Sequence, residues 1–475
     1  MKKILLFAAL VMLGAPISAQ KMKANKKEII SSVDSKQEEL IQLSDAIWAH
    51  AETAFQEAES SKLLADYAEA NGFKVERGVA GMPTAFVATY GSGKPVIGIL
   101  GEFDALPGIS QKAQPTKEPL NAGAAGHGCG HNLFGTASLG AAIAVKELID
   151  QGKISGTVKF FGTPAEEKFF GKIWMVEAGL WDGVDVNISW HPGASTEADV
   201  QSTLALVDFK VEFFGQAAHA SADPWNGRSA SDGLELYTTG INYYREHIKP
   251  STRIHYHIQD GGQVVNVVPD YSKIWVRVRD PKRSEMMPVY ARVKEMAEGA
   301  AIMANVDYKI SLISGIYEVL VNRTGGEVMQ KNLELLGPIT YDEKEVAFAK
   351  KIQEITGKPQ VGMDSQIRPL EDTKEDPGGG STDVGDVSWN VPNINLSVTT
   401  APKDTPWHSW AVVACGGMSI GHKGMVFAAK AMSMTMLDLF ENPKLVENIK
   451  AEFIKQKGNQ KYKAIIDGPP PISGN

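Results

Sequence analysis

Four times along this chain an apolar, β-prone run is followed within a few residues by a side chain capable of chemistry. Residues 96–100 end in Gly101-Glu102-Phe103-Asp104, and residues 157–161 lead to Pro164-Ala165-Glu166-Glu167. Residues 184–189 lead to Trp190-His191-Pro192, and residues 394–399 deliver Thr405-Pro406-Trp407-His408. Helical patterns lie between or after these runs: an alanine-rich one over 133–149 that stops at Gly152, a short one over 174–178, and a long one over 418–440. Strands alternating with helices imply an α/β fold, a mainly parallel sheet with both faces covered. In such sheets ligands gather beyond the carboxyl ends of the strands. Glu102, Asp104, Glu166, Glu167 and His191 all fall there.

The texture changes near residue 203. Residues 204–214 alternate, with Val207, Phe209, Val211 and Phe213 on one face and Asp208, Lys210 and Glu212 on the other, as in a half-buried antiparallel strand. A helix over 229–247, strands over 253–258 and 272–279, a helix over 284–303 and a strand over 307–313 complete the order β-α-β-β-α-β. That order is the ferredoxin-like split unit. The expected organisation is a catalytic domain of residues 20–202 and 315–475, with an inserted α+β lid and dimerisation domain of residues 203–314. The alternating run 204–214 is expected at the edge of the lid sheet, where a second chain could cover it.

Elsewhere, residues 21–37 read as a polar stretch, and helices are expected over 38–52, 57–70 and 343–355. The Gly-, Pro- and acid-rich stretch 357–385 reads as a long loop, of the kind that usually carries function. The tail beyond Lys461 is expected to be loose.

A chain of 475 residues is too long for one average core, which agrees with two domains. Its net charge of −8 argues against nucleic acid or an anionic membrane as partner. Residues 1–19 carry Lys2 and Lys3, then an apolar run over 4–13, then Ile17-Ser18-Ala19, the layout of a secretory signal. The apolar run is too short for a membrane span. Loss of the two lysines takes the mature chain to −10. No cysteine precedes Cys129, which excludes a lipidated N-terminal cysteine, so a periplasmic or secreted protein is expected.

The chemistry is densest in Gly126-His127-Gly128-Cys129-Gly130-His131-Asn132, where glycines let the backbone turn sharply and approach a ligand. Imidazole plus thiolate suits zinc or another first-row divalent ion. The same stretch also reads as a Gly-rich turn around a buried, unreactive cysteine. A disulfide between Cys129 and Cys415 is a further alternative in an exported chain, but Cys415 lies in the apolar setting of a packed thiol.

Taken in order, Gly101-Glu102-Phe103-Asp104-Ala105-Leu106-Pro107-Gly108, the Gly-His-Cys stretch, Glu166-Glu167 and Trp190-His191-Pro192 resemble the dinuclear-metal amidohydrolase family of aminoacylases, carboxypeptidases and auxin-conjugate hydrolases. The spelling is most similar to the aminobenzoyl-glutamate utilisation protein B branch, and the resemblance runs from about residue 34 to 440. It implies Cys129, His131, Glu167, His191 and His408 as ligands of two divalent ions, Mn²⁺ or Zn²⁺, with Cys129 in place of a bridging carboxylate. It implies Glu166 as general base and Asp104 as the aspartate that orients a ligand. His219 would be the lid histidine that approaches the active site from a partner subunit, with Asn266 and Arg279 as substrate contacts. Glu102-Phe103-Asp104 stands where the family's peptidases spell HxD, so a metal-binding imidazole is replaced there. His127 is expected to be structural.

The expected function is metal-dependent hydrolysis of the amide bond in small N-acyl or N-aroyl amino acids, aminobenzoyl-glutamate-like, or in dipeptides, by a homodimer paired through the lid. Two rivals remain. One is a metal-dependent protein that captures a peptide or conjugate without cutting it. The other is a cysteine hydrolase built on Cys129.

Overall fold

The computed structural model describes residues 22–372, 377 and 380–472, and the expected signal segment lies outside them. Eleven strands form two sheets among these residues. The first contains β1 (Lys74–Arg77), β2 (Phe86–Ser92), β3 (Val96–Glu102), β4 (Gly156–Thr163), β5 (Val186–Gly193) and β6 (Glu197–Asp199). The second contains β7 (Ala205–Phe214), β8 (Arg253–Asp260), β9 (Tyr271–Asp280) and β10 (Asp307–Ile316), and β11 (Asn393–Thr399) returns to the first.

The first sheet has the order β1-β2-β4-β3-β5-β11-β6. Its four central strands β4, β3, β5 and β11 are parallel, while the flanking strands pair antiparallel. The centre is parallel because crossover helices connect its strands, and its strands are buried on both faces, as Ile97, Ile99, Val186, Ile188, Ile394 and Leu396 show. The helix His131–Asp150 packs along β3, with a helix Ser419–Glu441 against it. Two glycines permit that closeness: a Cβ on Gly135 would meet the Glu102 carbonyl at 2.7 Å, and one on Gly101 would meet the Gly135 Cα at 3.3 Å. The four central strands therefore end at one rim, and the helix that opens at His131 begins beside it.

The second sheet is antiparallel throughout, in the order β10-β7-β9-β8. The helices Ala230–Tyr244 and Arg283–Ala304 cover one of its faces and enclose a separate apolar core around Phe209, Phe213, Tyr237 and Val276. The run expected at the sheet edge, now β7, lies between β10 and β9 instead. Alternation reports that one face is buried and is silent about which neighbours a strand has.

Three further differences have local causes. The polar stretch before residue 37 contains a helix, Ala24–Ser35, which buries Ile29 and Val33 and satisfies the buried Lys26 with Asn332 at 2.6 Å and Asp438 at 2.7 Å. Helices Arg323–Leu336 and Pro443–Lys457 also form. The tail over residues 462–472 is docked, not loose: Ile465 is buried in the second sheet's core and accepts the Gly315 N–H, and Gly468 accepts the Trp174 indole N–H. The long loop keeps its irregular character where it is described and ends at a short helix, Val384–Ser388; residues 373–376, 378 and 379 lie outside the described residues. Among the described residues no single helix is long and apolar enough to cross a membrane.

Candidate metal centre and active site

The rim formed by β3, β4 and β5 and the start of the helix His131–Asp150 opens into a cavity of about 540 Å³. Glu102, Cys129, Glu166, Glu167, His191 and His408 line it. The donor atoms of Cys129, His131 and His191 lie within 4.8 Å of one another, as do those of Cys129, Glu167 and His408. Cys129 is common to both groups. Glu102, His131 and Glu166 form a third such group.

The buried His131 and half-buried His191 imidazoles are oriented alike. His131 directs Nδ1 to Asp104 Oδ1 at 2.9 Å, and His191 directs Nδ1 to its neighbour's carbonyl, Pro192 O, at 2.8 Å. With Nδ1–H donating in each, the neutral ring would offer its Nε2 lone pair to a cation at the centre. His191 Nε2 lies 3.3 Å from the Cys129 sulfur, and His131 Nε2 lies 3.1 Å from Glu102 Oε2. His408 projects from a residue in the left-handed region (φ 55°) and brings Nε2 to 3.6 Å from Glu167. Its backbone N–H is fixed by Gly128 O at 3.0 Å.

Acid crowding is the main electrostatic fact. Burial pushes the Glu166 carboxyl well above its ordinary range, and Glu102, Glu167 and Asp383 push it further. Burial likewise raises Glu167 to about 7 despite the attraction of His131. Burial, reinforced by Glu167, lifts the Cys129 thiol, while burial and the neighbouring His131 hold His191 down to about 4. Burial opposes a charge on His131, but Cys129, Glu102 and Asp104 outweigh it and hold the imidazole well above its ordinary value. A thiol and several carboxyls crowded around the imidazoles make a site that favours positive charge, and divalent cations would supply it. The mixed nitrogen, oxygen and sulfur set fits a first-row divalent ion.

The structure adds residues that the sequence did not single out. The buried Lys172 ammonium lies 2.7 Å from Glu102 and 2.6 Å from Asp383. Glu57, also buried, accepts from the Ala165 N–H at 2.9 Å. A lysine or a glutamate in an ordinary helical sequence gives no signal of such partners. Arg279 lines the same cavity from β9, together with Arg277. His219 and Asn266 do not reach it within one chain: they sit on exposed loops of the second unit, where the Ala220 N–H donates to Asn266 O at 3.0 Å. His127 is buried and bonds Ile47 O at 3.1 Å, a structural placement. Cys129 and Cys415 are both free thiols.

Comparison with known proteins agrees with this geometry. Residues 98–363 match the pattern of Peptidase family M20/M25/M40. One of the two p-aminobenzoyl-glutamate hydrolase chains of Escherichia coli (strain K12) is 37% identical over 463 residues, 91% of this chain and 96% of that protein. The Xaa-Arg dipeptidase of Homo sapiens is 28% identical over 458 residues, 93% of this chain and 94% of the relative. Two solved structures share the fold. The aminobenzoyl-glutamate utilization protein of Klebsiella pneumoniae has a TM-score of 0.60 at 16% identity, covering 87% of this chain and 100% of its own. A dinuclear metal binding peptidase of the M20 family from Bacillus subtilis has a TM-score of 0.57 at 17% identity, covering 86% and 99%. With its sequence pattern, its full-length relatives and its converging donors in accord, the chain belongs to peptidase family M20/M25/M40 and is a metal-dependent hydrolase of C–N bonds.

Proposed function

We propose that the protein hydrolyses the amide bond of small N-acyl or N-aroyl amino acids of the p-aminobenzoyl-glutamate kind, or of dipeptides. The carrying observation is the pair of donor groups that share Cys129 beside the buried carboxyl of Glu166. In this reading Cys129, His131, Glu167, His191 and His408 hold two divalent cations, Mn²⁺ or Zn²⁺. When bound, these cations supply Lewis acidity to an attacking water and to the scissile carbonyl. Glu166 takes a proton from the water and later gives it to the departing amine nitrogen, a transfer for which a raised carboxyl pKa is suited. Asp104 fixes the His131 ring and the Glu167 amide, the latter at 2.9 Å. Arg279 receives a substrate carboxylate.

His219 and Asn266 complete the site from a second copy in this reading, with His219 donating to the oxyanion as the carbonyl becomes tetrahedral. The second sheet is then a lid and pairing unit, residues 203–314. The layout of residues 1–19 supports export to a periplasm or the medium. The relatives named as an aminobenzoyl-glutamate hydrolase and a dipeptidase support the substrate class.

Glu166→Gln is expected to retain cations and fold while turnover of p-aminobenzoyl-glutamate falls by about 10²–10⁴. Near-normal turnover would remove Glu166 as the base. A capture protein, in contrast, would bind the conjugate in its metal-loaded form and release no aminobenzoate.

A further inference from the structure

The face of the second sheet that its helices leave uncovered is basic, in a chain whose net charge is −8. The strand register sets its rows. Arg253, Arg279 and Leu206 stand side by side, then His255, Arg277 and Asp208, then His257, Trp275 and Lys210, and finally Asp260, Lys273 and Glu212. In these rows three carboxylates, Asp208, Glu212 and Asp260, stand against the five cations Arg253, Arg277, Arg279, Lys210 and Lys273. Asp208 is buried and committed to Arg277, and Glu212 is bonded to Tyr271 at 2.6 Å and lies 3.4 Å from Lys273.

The face is continuous with the active site. Arg277 and Arg279 line both the catalytic cavity and a second hollow of about 340 Å³, whose other walls are His255, Tyr256, His257 and Trp275. The positive groups work against one another there. Burial holds the His255 imidazole down, with Arg279 and Arg277 the next causes, and burial followed by Lys273 and Lys168 lowers Lys210. Lys168 directly follows the Glu166-Glu167 pair, so Lys210 lies toward the catalytic loop. Assembling like charges around a hollow costs free energy that a bound anion returns. An anion bound there would meet the Arg279 guanidinium, with Arg277 already held by Asp208 and the indole of Trp275 in the same wall.

We propose that this face is a subsite for an additional carboxylate, so that the preferred substrate is an acidic conjugate in which the amino acid flanking the scissile amide is followed by at least one further acidic residue. This inference deepens the hydrolase reading and rests on it for the position of the scissile bond. The catalytic cavity takes the first residue, and the arginine pair passes the chain on to the His255, His257 and Lys210 side.

The test compares p-aminobenzoyl-Glu with p-aminobenzoyl-Glu-Glu and its neutral isostere p-aminobenzoyl-Glu-Gln, using the Mn²⁺-loaded full chain. The expected result is a KM for the Glu-Glu conjugate lower than for Glu-Gln by about fivefold, the scale of a partly exposed ion pair. That advantage should shrink with added salt. In the double variant Lys210→Gln/His257→Gln it should vanish, with turnover of p-aminobenzoyl-Glu unchanged. Equal KM values in the wild type, or an advantage that survives in the double variant, would overturn the subsite. Calorimetry with the free dipeptides Glu-Glu and Glu-Gln decides the same point without turnover. Selective Glu-Glu binding lost in the double variant supports the subsite even if no amide is cleaved, an outcome that would count against the hydrolase reading alone. No selectivity in calorimetry overturns it.

Discussion

Glu57 and Asp104 hold the two peptide N–H groups on either side of Glu166: Ala165 N donates to Glu57 and Glu167 N to Asp104, each at 2.9 Å. Ala165 has φ 63°, a left-handed conformation that a non-glycine residue adopts at a cost of about 1–3 kcal/mol, so these bonds position the base against local strain. Burial, with Asp104 next, raises the Glu57 carboxyl to about 8. The folded state thus binds a proton that the unfolded chain releases from about pH 4.5. The contribution is fully present below that pH and is lost as pH rises through about 8, at up to about 1.4 kcal/mol per unit. Denaturant unfolding of Glu57→Gln between pH 5 and 8 should show a flatter pH dependence than the wild type, and an unchanged slope would remove Glu57 from this role. Cys129 offers a second test at this scale. A thiol that must lose its proton to bind a cation gives affinity that weakens as pH falls. Cation loading should protect Cys129 from alkylation, and Cys129→Ala should fold but lose at least one cation per chain. Equal alkylation with and without cation, together with full cation content in the alanine variant, would show that this sulfur is not a ligand.

At the scale of elements, the tail straps the two cores together, against the expectation of a loose end. Ile465 enters the second sheet's core, Ala464 and Ile466 pack on the first, and Tyr462 donates to the buried Asp386 at 2.8 Å. Tyr317 and Lys463 bond reciprocally at 3.0 and 3.1 Å. Burying one isoleucine side chain stabilises by about 1.5–3 kcal/mol. Removal of residues 462–475 should therefore lower the unfolding midpoint by several degrees and weaken the second unit most, seen as faster amide exchange in β7 and β10. An unchanged midpoint would show that the strap contributes nothing. The Pro-rich composition after residue 468 hid this, because an isolated isoleucine in a polar tail carries no periodicity.

For the whole molecule, exposure of His219 and Asn266 on loops outside the cavity is the observation behind the proposed pairing with a second copy. The edges available for pairing are β8 and β10, since β7 is interior. If the proposed export and pairing hold, the protein should start at Gln20 by intact mass and sediment as a dimer. A fully active monomer would remove both the pairing and the role of His219 in trans.

The sequence by itself determined the local chemistry and the local periodicity. The period of two in β7 and β9, the apolar runs of the parallel centre and the carboxylates just past them follow from short stretches. So does the Gly-His-Cys turn, where neighbouring residues alone bring Cys129 and His131 together. Tertiary structure decided what depends on distant partners: the interior place of β7, the docking of Ile465, the pairing of Lys172 with Glu102 and Asp383, and the clamp of Glu57 on Ala165. It also decided that Arg277 and Arg279 face two cavities while His219 faces none in its own chain. The physical reason is the range of the interactions. Strand and helix periods are written within a few residues, whereas a buried charge takes its meaning from groups far along the chain, as Lys172 does from Asp383, which only folding brings within 3 Å.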